Sequence, residues 1–336
     1  MSAPAPSMYS PAAKAVAERL GLQMGRANLE AFADTLLELA RADRNVLAVT
    51  SDSRGSGKLG PFGQALPGQI VEVGIAEQAL VGIAAGLGSC GKNVFAVSPA
   101  CFLTARSLEQ IKNDICYSDH PVTLVGISAG VSYGALGTTH HSLHDFAVLR
   151  AINNVTVVAP ADNFETREAV RAAAASDRPV YLRFGKAPLY TLPAGGSEPF
   201  RFGPARQLRD GDDVAFLATG ETVVHALLAA AHLEATAGLR CRVLSFPTVK
   251  PLDVAAVAAA AKECHAVVTA EEHMVHGGFG EAVASVIAQA GLAVRFRLVG
   301  IPDDYTVTGS QADIFRHYGL TMEGLAATAL DALKRT

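Results

Sequence analysis

One carboxylate stands at the mouth of a long apolar run. In VEVGIAEQALVGIAAGLGSCGKNVFAV, residues 71–97, Glu77 opens a stretch of Val, Ile, Leu, Ala and Gly that closes on Gly86-x-Gly88-x-x-Gly91. Either feature could carry chemistry. Glycines in that pattern cradle a pyrophosphate only where a strand runs into them and a helix leaves them, so that the helix N-terminus meets the anion. Here helical periodicity over 77–87 comes first and the strand-like Asn93–Val97 follows, which makes the glycines helix-ending turns. Ser56-Gly57-Lys58-Leu59 lacks the upstream Gly and the following Ser/Thr of a phosphate loop. Glu77 is the stronger candidate, because a carboxyl among apolar residues is unfavourable unless a specific partner takes its proton or its charge. The non-functional alternative is a first-turn acid complementing the helix dipole, worth roughly a few tenths of a kcal/mol.

A second cluster, THHSLHD, holds His140 and His144 four residues apart, a spacing that on a helix could ligate zinc. No Glu follows the first His as in H-E-x-x-H, and no third ligand is evident. The five cysteines (Cys90, Cys101, Cys116, Cys241, Cys264) are odd in number, widely spaced and without C-x-x-C; they read as buried thiols in a reducing compartment. With 28 Lys+Arg against 32 Asp+Glu, the net charge of -4 argues against a chain built to neutralise a nucleic-acid backbone.

The elements that must position these groups follow from patterning. NVLAVT, NVFAVS, PVTLVGI, VTVVAP and PVYLRF alternate with Ala- and Leu-rich stretches of helical length, the βαβα signature of a mostly parallel sheet covered by helices. APLYTLPAGGSEPFRFGPA has no periodicity and reads as a linker. A second alternating block then carries DVAFLAT, CRVLSF, AVVTAEE and VRFRLVG. The fold class is therefore α/β in two domains, each a mostly parallel sheet flanked by helices. The expected boundaries are a loose tail over 1–20, a first domain over 21–189, a linker over 190–208 and a second domain over 209–336. The opening MSAPAPSMYSPAA has no signal-peptide character and Val254–Ala261 is too short to span a bilayer, so a cytoplasmic protein is expected.

In order and spacing, VGIAEQALVGIAAGLG, PACFLTARSLEQIKND, GTTHHSLHDFAVLRAINNVTVVAPAD, PVYLRFGK and VTAEEHMVHGGFGEAVA resemble the C-terminal half of transketolase, from about Arg26 to the end of the chain. The resemblance implies a pyrimidine-binding domain followed by a transketolase C-terminal domain, and thiamine diphosphate as cofactor. It places Glu77 on the acid that hydrogen-bonds N1′ of the aminopyrimidine, where a shared proton favours the imino tautomer that makes the reactive ylide. It places Phe102 on the aromatic that stacks on that ring, Asp52 near the thiazolium and His140 on the active-site histidine that orients the donor. His141 and His144 are then polar surface or interface groups. Arg183, Arg26 and Ser56 match positions that hold a substrate phosphate, for which a guanidinium fork is suited.

Two departures matter. Where transketolases carry D-G-P-T-H-Q, this chain reads Leu136-Gly137-Thr138-Thr139-His140-His141, and a phosphate-contacting His earlier in the loop is Ser128. An apolar side chain cannot satisfy a buried hydroxyl, so a sugar unlike the ordinary pentose phosphates is expected: branched, deoxy or otherwise modified. The diphosphate-gripping G-D-G…Asn motif is missing, and Gly211–Asp213 lies in the wrong domain. A separately encoded N-terminal-half partner holding Mg²⁺ and the diphosphate is therefore expected, in a heterotetramer with two copies of each chain. The competing possibilities are the beta subunit of a thiamine-dependent 2-oxoacid dehydrogenase, a deoxyxylulose-phosphate-synthase-like enzyme, and a non-catalytic thiamine-fold partner-binding subunit.

Overall fold

The computed structural model describes residues 7–193 and 200–334. The first part of the chain forms β1 (Met24–Ala27), β2 (Val46–Thr50), β3 (Ile70–Glu72), β4 (Asn93–Pro99), β5 (Val122–Ile127), β6 (Thr156–Val158), β7 (Val180–Phe184) and β8 (Pro188–Tyr190). The second forms β9 (Arg206–Arg209), β10 (Val214–Ala218), β11 (Cys241–Ser245), β12 (Thr248–Lys250), β13 (Ala266–Met274) and β14 (Arg295–Ile301). β2, β5, β7 and β10 are buried along their whole length, as strands covered on both faces must be, and this is why they read as near-continuous apolar runs.

Among the described residues these strands make a seven-stranded sheet in the order β12-β6-β7-β5-β4-β2-β3 and a five-stranded sheet in the order β14-β13-β10-β11-β9. Every pairing within them is parallel except those of the edge strands β12 with β6 and β9 with β11. β12 comes from the second half of the chain and closes the first half's sheet, so the two halves share a sheet edge. The connection from β2 leads to the β3 edge and that from β4 leads the other way, to β5. This opens a crevice at the carboxyl ends of β2 and β4, where ligands bind in open α/β sheets.

The helix Glu77–Ser89 precedes β4 and buries Leu80, Val81, Ala84 and Ala85 in the core beside that strand. Gly91, at φ +75°, turns the chain out of the helix, and Lys92 N–H bonds the Leu87 carbonyl. The glycine pattern thus ends a helix and offers no helix N-terminus to an anion.

The loose tail expected over 1–20 is not what residues 7–20 show; residues 1–6 lie outside the described residues. Pro11–Arg19 is a helix capped by Ser10, whose hydroxyl accepts from Ala13 N–H at 3.0 Å, with Pro11 at its first turn. Ala13, Val16 and Ala17 pack into the core of the second half, and Tyr9 stacks between Tyr190 (4.7 Å between ring centroids) and His225 (5.1 Å). The composition that suggested a tail is small and weakly apolar. It folds because a preformed apolar surface receives it. Of the linker expected over 190–208, residues 194–199 lie outside the described residues, while its last part enters β9.

Candidate active site

The segments that follow β2, β3, β4, β5 and β7 carry Asp52, Glu77, Phe102, His140 and Lys186 in turn. Glu77 is the first residue of its helix and only 4% exposed. Its Oε1 accepts a hydrogen bond from Arg106 Nη1 at 2.9 Å. Arg106 ends the helix Ala100–Arg106, four residues after Phe102 and therefore on the same face, and its guanidinium lies 4.2 Å above the Phe102 ring. One planar cation thus bonds the carboxylate while covering the aromatic face. A cavity of about 670 Å³ opens here, lined by Ile75, Ala76, Glu77, Gln78, Ala79 and Arg106.

This arrangement tests the fit of the cofactor. An aminopyrimidine protonated on its ring nitrogen is likewise a planar N–H donor, which pairs with a carboxylate in its plane and takes an aromatic against its face. Arg106, half-exposed, supplies both contacts from the chain itself. Glu77 and Phe102 fit the group.

His140 sits in the loop between β5 and the helix Asp145–Ala151, its ring edge-on to Phe102 (5.3 Å) and Tyr133 (5.4 Å). Nδ1 engages the Thr139 hydroxyl at 3.0 Å, which leaves Nε2 as the ring atom for a substrate oxygen. His141 is buried rather than a surface group: its nitrogens engage the Gly134 carbonyl (2.9 Å) and Thr306 Oγ1 (3.0 Å), tying the loop to the second half of the chain. Burial lowers its pKa, so it serves as a neutral strut. His144 engages the Thr104 hydroxyl at 3.0 Å. His140 lies in the loop and His144 at the helix cap, so the two do not share a helix face.

The other expected site residues spread along the rim. Asp52 is exposed at φ +51°, a strained conformation for a residue with a Cβ, held by its N–H donating to Glu72 Oε1 at 2.7 Å. Ser56 donates to the Ser53 carbonyl at 3.1 Å, and the exposed Arg26 pairs with Asp34 at 2.5 Å. The structure brings Glu77, Phe102 and His140 into one contact chain and leaves Asp52, Ser56 and Arg26 outside it.

Arg183 departs from expectation. Its guanidinium is 5% exposed and turned into the protein, donating from Nε to Asp145 Oδ2 at 2.8 Å and from Nη2 to the carbonyls of Glu272 (2.7 Å) and Ser142 (3.3 Å). A buried guanidinium with those partners is not offered to a substrate phosphate. It fastens β7 to the end of the His140 loop and to β13 of the second half. Asp145 also accepts from Tyr181 at 2.7 Å, and Arg183 and His273 overcome its burial to hold its pKa below the usual carboxylate range.

Around Arg183 the two halves interlock through carboxylates that sequence reasoning did not single out. Glu272 Oε1 accepts from Val131 N–H (2.9 Å) and Gln311 (2.8 Å). Glycine is required opposite two of these acids: a Cβ on Gly130 would lie 2.2 Å from the Glu272 carboxyl carbon, and one on Gly185 only 2.1 Å from Glu221 Oε1. Burial, reinforced for Glu221 by the charge of Glu272, pushes both carboxyls up, and burial pushes Glu271 up to about 8. A raised folded-state pKa means the folded chain binds more protons than the unfolded chain between about pH 4.5 and 8. The stability from these groups is complete below that window and is lost as pH rises through it. Glu221→Gln is expected to be nearly neutral at pH 4 and to stabilise by on the order of 1 kcal/mol or more at pH 8.5, read as the shift in urea midpoint at the two pH values. An equal shift at both would refute the assignment.

Family models match residues 25–191 as the transketolase pyrimidine binding domain and residues 203–325 as the transketolase C-terminal domain. The chain belongs to the transketolase family, whose members are thiamine-diphosphate-dependent transferases, and it comprises the pyrimidine-binding and C-terminal domains of that architecture. Its similarity extends over nearly the full length of proteins named as single subunits. It is 47% identical to one subunit of the apulose-4-phosphate transketolase of Phocaeicola vulgatus, over 91% of this chain and 97% of that protein. It is 35% identical to a 6-deoxy-6-sulfo-D-fructose transketolase subunit of a Clostridium species, over 91% of this chain and 94% of that one. A solved split-gene transketolase, described as an inactive beta4 tetramer, superposes with a TM-score of 0.80 at 35% identity, covering 92% of this chain and 98% of its own.

Among the described residues no helix is long and apolar enough to cross a membrane.

Proposed function

We propose that this chain is the C-terminal subunit of a two-chain transketolase that moves a two-carbon ketol unit from a ketose phosphate to an aldehyde acceptor. The observation that carries this is the planar cation of Arg106 bonded to Glu77 and laid on Phe102, in the relation an aminopyrimidine requires. When bound, thiamine diphosphate supplies the nucleophilic carbon that attacks the ketose carbonyl. Glu77 holds the ring nitrogen and shares its proton, Phe102 covers the ring face, and Asp52 stands at the rim nearest β2. His140 Nε2 donates to the donor's hydroxyl or to the oxygen that gains charge, a contact that strengthens as the carbon–carbon bond breaks. Arg26 and Ser56, on the rim, are assigned in this reading to the outer end of the sugar.

The partner subunit would carry the N-terminal half, with Mg²⁺ and the diphosphate, in a cytoplasmic heterotetramer. The inactivity of the beta4 tetramer in the relative of known structure supports a catalytic requirement for the second chain. Leu136, 56% exposed in the His140 loop where transketolases carry an acid, favours a sugar other than the pentose phosphates. Apulose 4-phosphate, which gives the Phocaeicola relative its name, is the first donor to try. The test is to copurify the partner under mild lysis and assay the pair with ketose phosphates, and with pyruvate in the presence and absence of lipoamide. Ketol transfer from a modified ketose phosphate is expected. Preference for xylulose 5-phosphate with ribose 5-phosphate would overturn the substrate reading, and consumption of pyruvate would assign the chain to one of the competing thiamine enzymes.

A further inference from the structure

His140 lies in a closed loop. Ser142 N–H bonds the Gly130 carbonyl at 2.8 Å, which pins the neck of residues 130–142. Inside the loop the backbone turns sharply at Gly137 (φ +73°), and the N–H groups of His140 and His141 both donate to its carbonyl, at 2.9 and 3.1 Å. The turn fixes where His140 begins; the side chains before and after it hold that turn against the rest of the protein. Thr138 and His141 both reach one hydroxyl in the second half of the chain, that of Thr306: Thr138 Oγ1 lies 3.2 Å from it and His141 Nδ1 3.0 Å. Thr306 stands on a braced segment between β14 and the helix Gln311–His317. On one side of it the Tyr318 hydroxyl donates to Asp304 Oδ1 at 2.8 Å, and on the other Ser310 and Asp313 form a reciprocal helix cap.

The direction of each bond follows from what its partners can donate. The Gly134 carbonyl only accepts, so the proton of the His141 ring is on Nε2, 2.9 Å away. Burial lowers the His141 pKa and keeps the ring neutral, so Nδ1 is an acceptor and the Thr306 hydroxyl donates to it. That spends the one hydrogen of the Thr306 hydroxyl, so Thr138 in turn donates to Thr306 Oγ1. One group thus accepts from the residue before the His140 turn and donates to the residue after it, which a hydroxyl can do and a methyl cannot. We propose that Thr306 is a positioning residue for His140, holding from the second half of the chain the turn that aims Nε2 at the substrate oxygen. This rests on the ketol-transfer reading above. A side chain of the same shape without the hydroxyl would release both flanks of the turn, and a misplacement of about 1 Å at a reacting group can cost roughly 10²-fold in rate.

The experiment uses the assembled two-chain enzyme carrying Thr306→Val, which keeps the shape, and Thr306→Ser, which keeps the hydroxyl. Thr306→Val is expected to lower kcat roughly 10- to 100-fold with KM little changed, because what is lost is a contact made in the transition state; Thr306→Ser is expected to recover most of that loss. An unchanged kcat in Thr306→Val, or a loss as large in Thr306→Ser, would overturn the proposal. If the wild-type pair transfers no ketol unit at all, the function reading fails, and Thr306 is judged by a readout that needs no turnover. In the full chain isotopically labelled at the histidine ring nitrogens, magnetic resonance of the wild type is expected to show His141 protonated at Nε2 alone. Thr306→Val is expected to broaden or split the His140 ring signals, and Thr306→Ser to leave them as in the wild type. That pattern upholds the positioning role. His141 protonated at Nδ1, or His140 signals identical in the wild type and Thr306→Val, ends it.

Discussion

Replacing Glu77 by alanine is expected to lower kcat of the assembled enzyme by on the order of 10²- to 10⁴-fold, the range contributed by a positioned proton-sharing group. The fold should survive, because Glu77 sits at a helix start and its partner Arg106 is half-exposed; losing such a pair alters stability by about 0–1 kcal/mol. Glu77→Gln sharpens the test. The amide keeps the shape and one acceptor but cannot share a proton with a ring nitrogen, so activity should fall nearly as far as in Glu77→Ala. Steady-state rates with saturating cofactor, set beside thermal melts, separate chemistry from folding. A Glu77→Ala enzyme that assembles normally and keeps its rate would favour the non-catalytic alternative, in which the thiamine fold only binds a partner.

The second large effect belongs to Arg183. Arg183→Met is expected to destabilise the chain by roughly 3–5 kcal/mol, because it leaves Asp145 and Glu272 buried without their cation. The urea midpoint measures this directly. The same substitution loosens the end of the His140 loop, since Arg183 holds the Ser142 carbonyl and the Asp145 carboxylate. The kinetic consequence should therefore be a lower kcat for phosphorylated and free sugars alike. Loss confined to phosphorylated substrates, with stability intact, would restore Arg183 to the phosphate and contradict its burial here.

Arg106 links the two halves of the site. It satisfies a carboxylate that would otherwise be buried without a partner, and it covers an aromatic face that would otherwise meet water. Sequence reasoning passed over it because an Arg at a helix end is ordinarily a surface charge near the helix dipole. The i, i+4 spacing from Phe102 was the signal that could have found it.

By itself the sequence determined the two α/β halves, the helix-before-strand order that rules the glycines out of phosphate binding, and Glu77 as a buried acid at a helix start. Those features are local. Fully apolar strands report burial on both faces, and one acid in an apolar run is conspicuous whatever surrounds it. The tertiary structure alone decided where the other charges go. An arginine in YLRF reads the same whether it faces a sugar or a carboxylate 38 residues earlier, and another of its contacts comes from 89 residues later. The loose tail became a helix only against a surface built by the far end of the chain, and β12 joined a sheet that its own half does not contain. Local patterning records how deeply a residue is buried; the identity of its partner is set by contacts between distant segments, which no local pattern encodes.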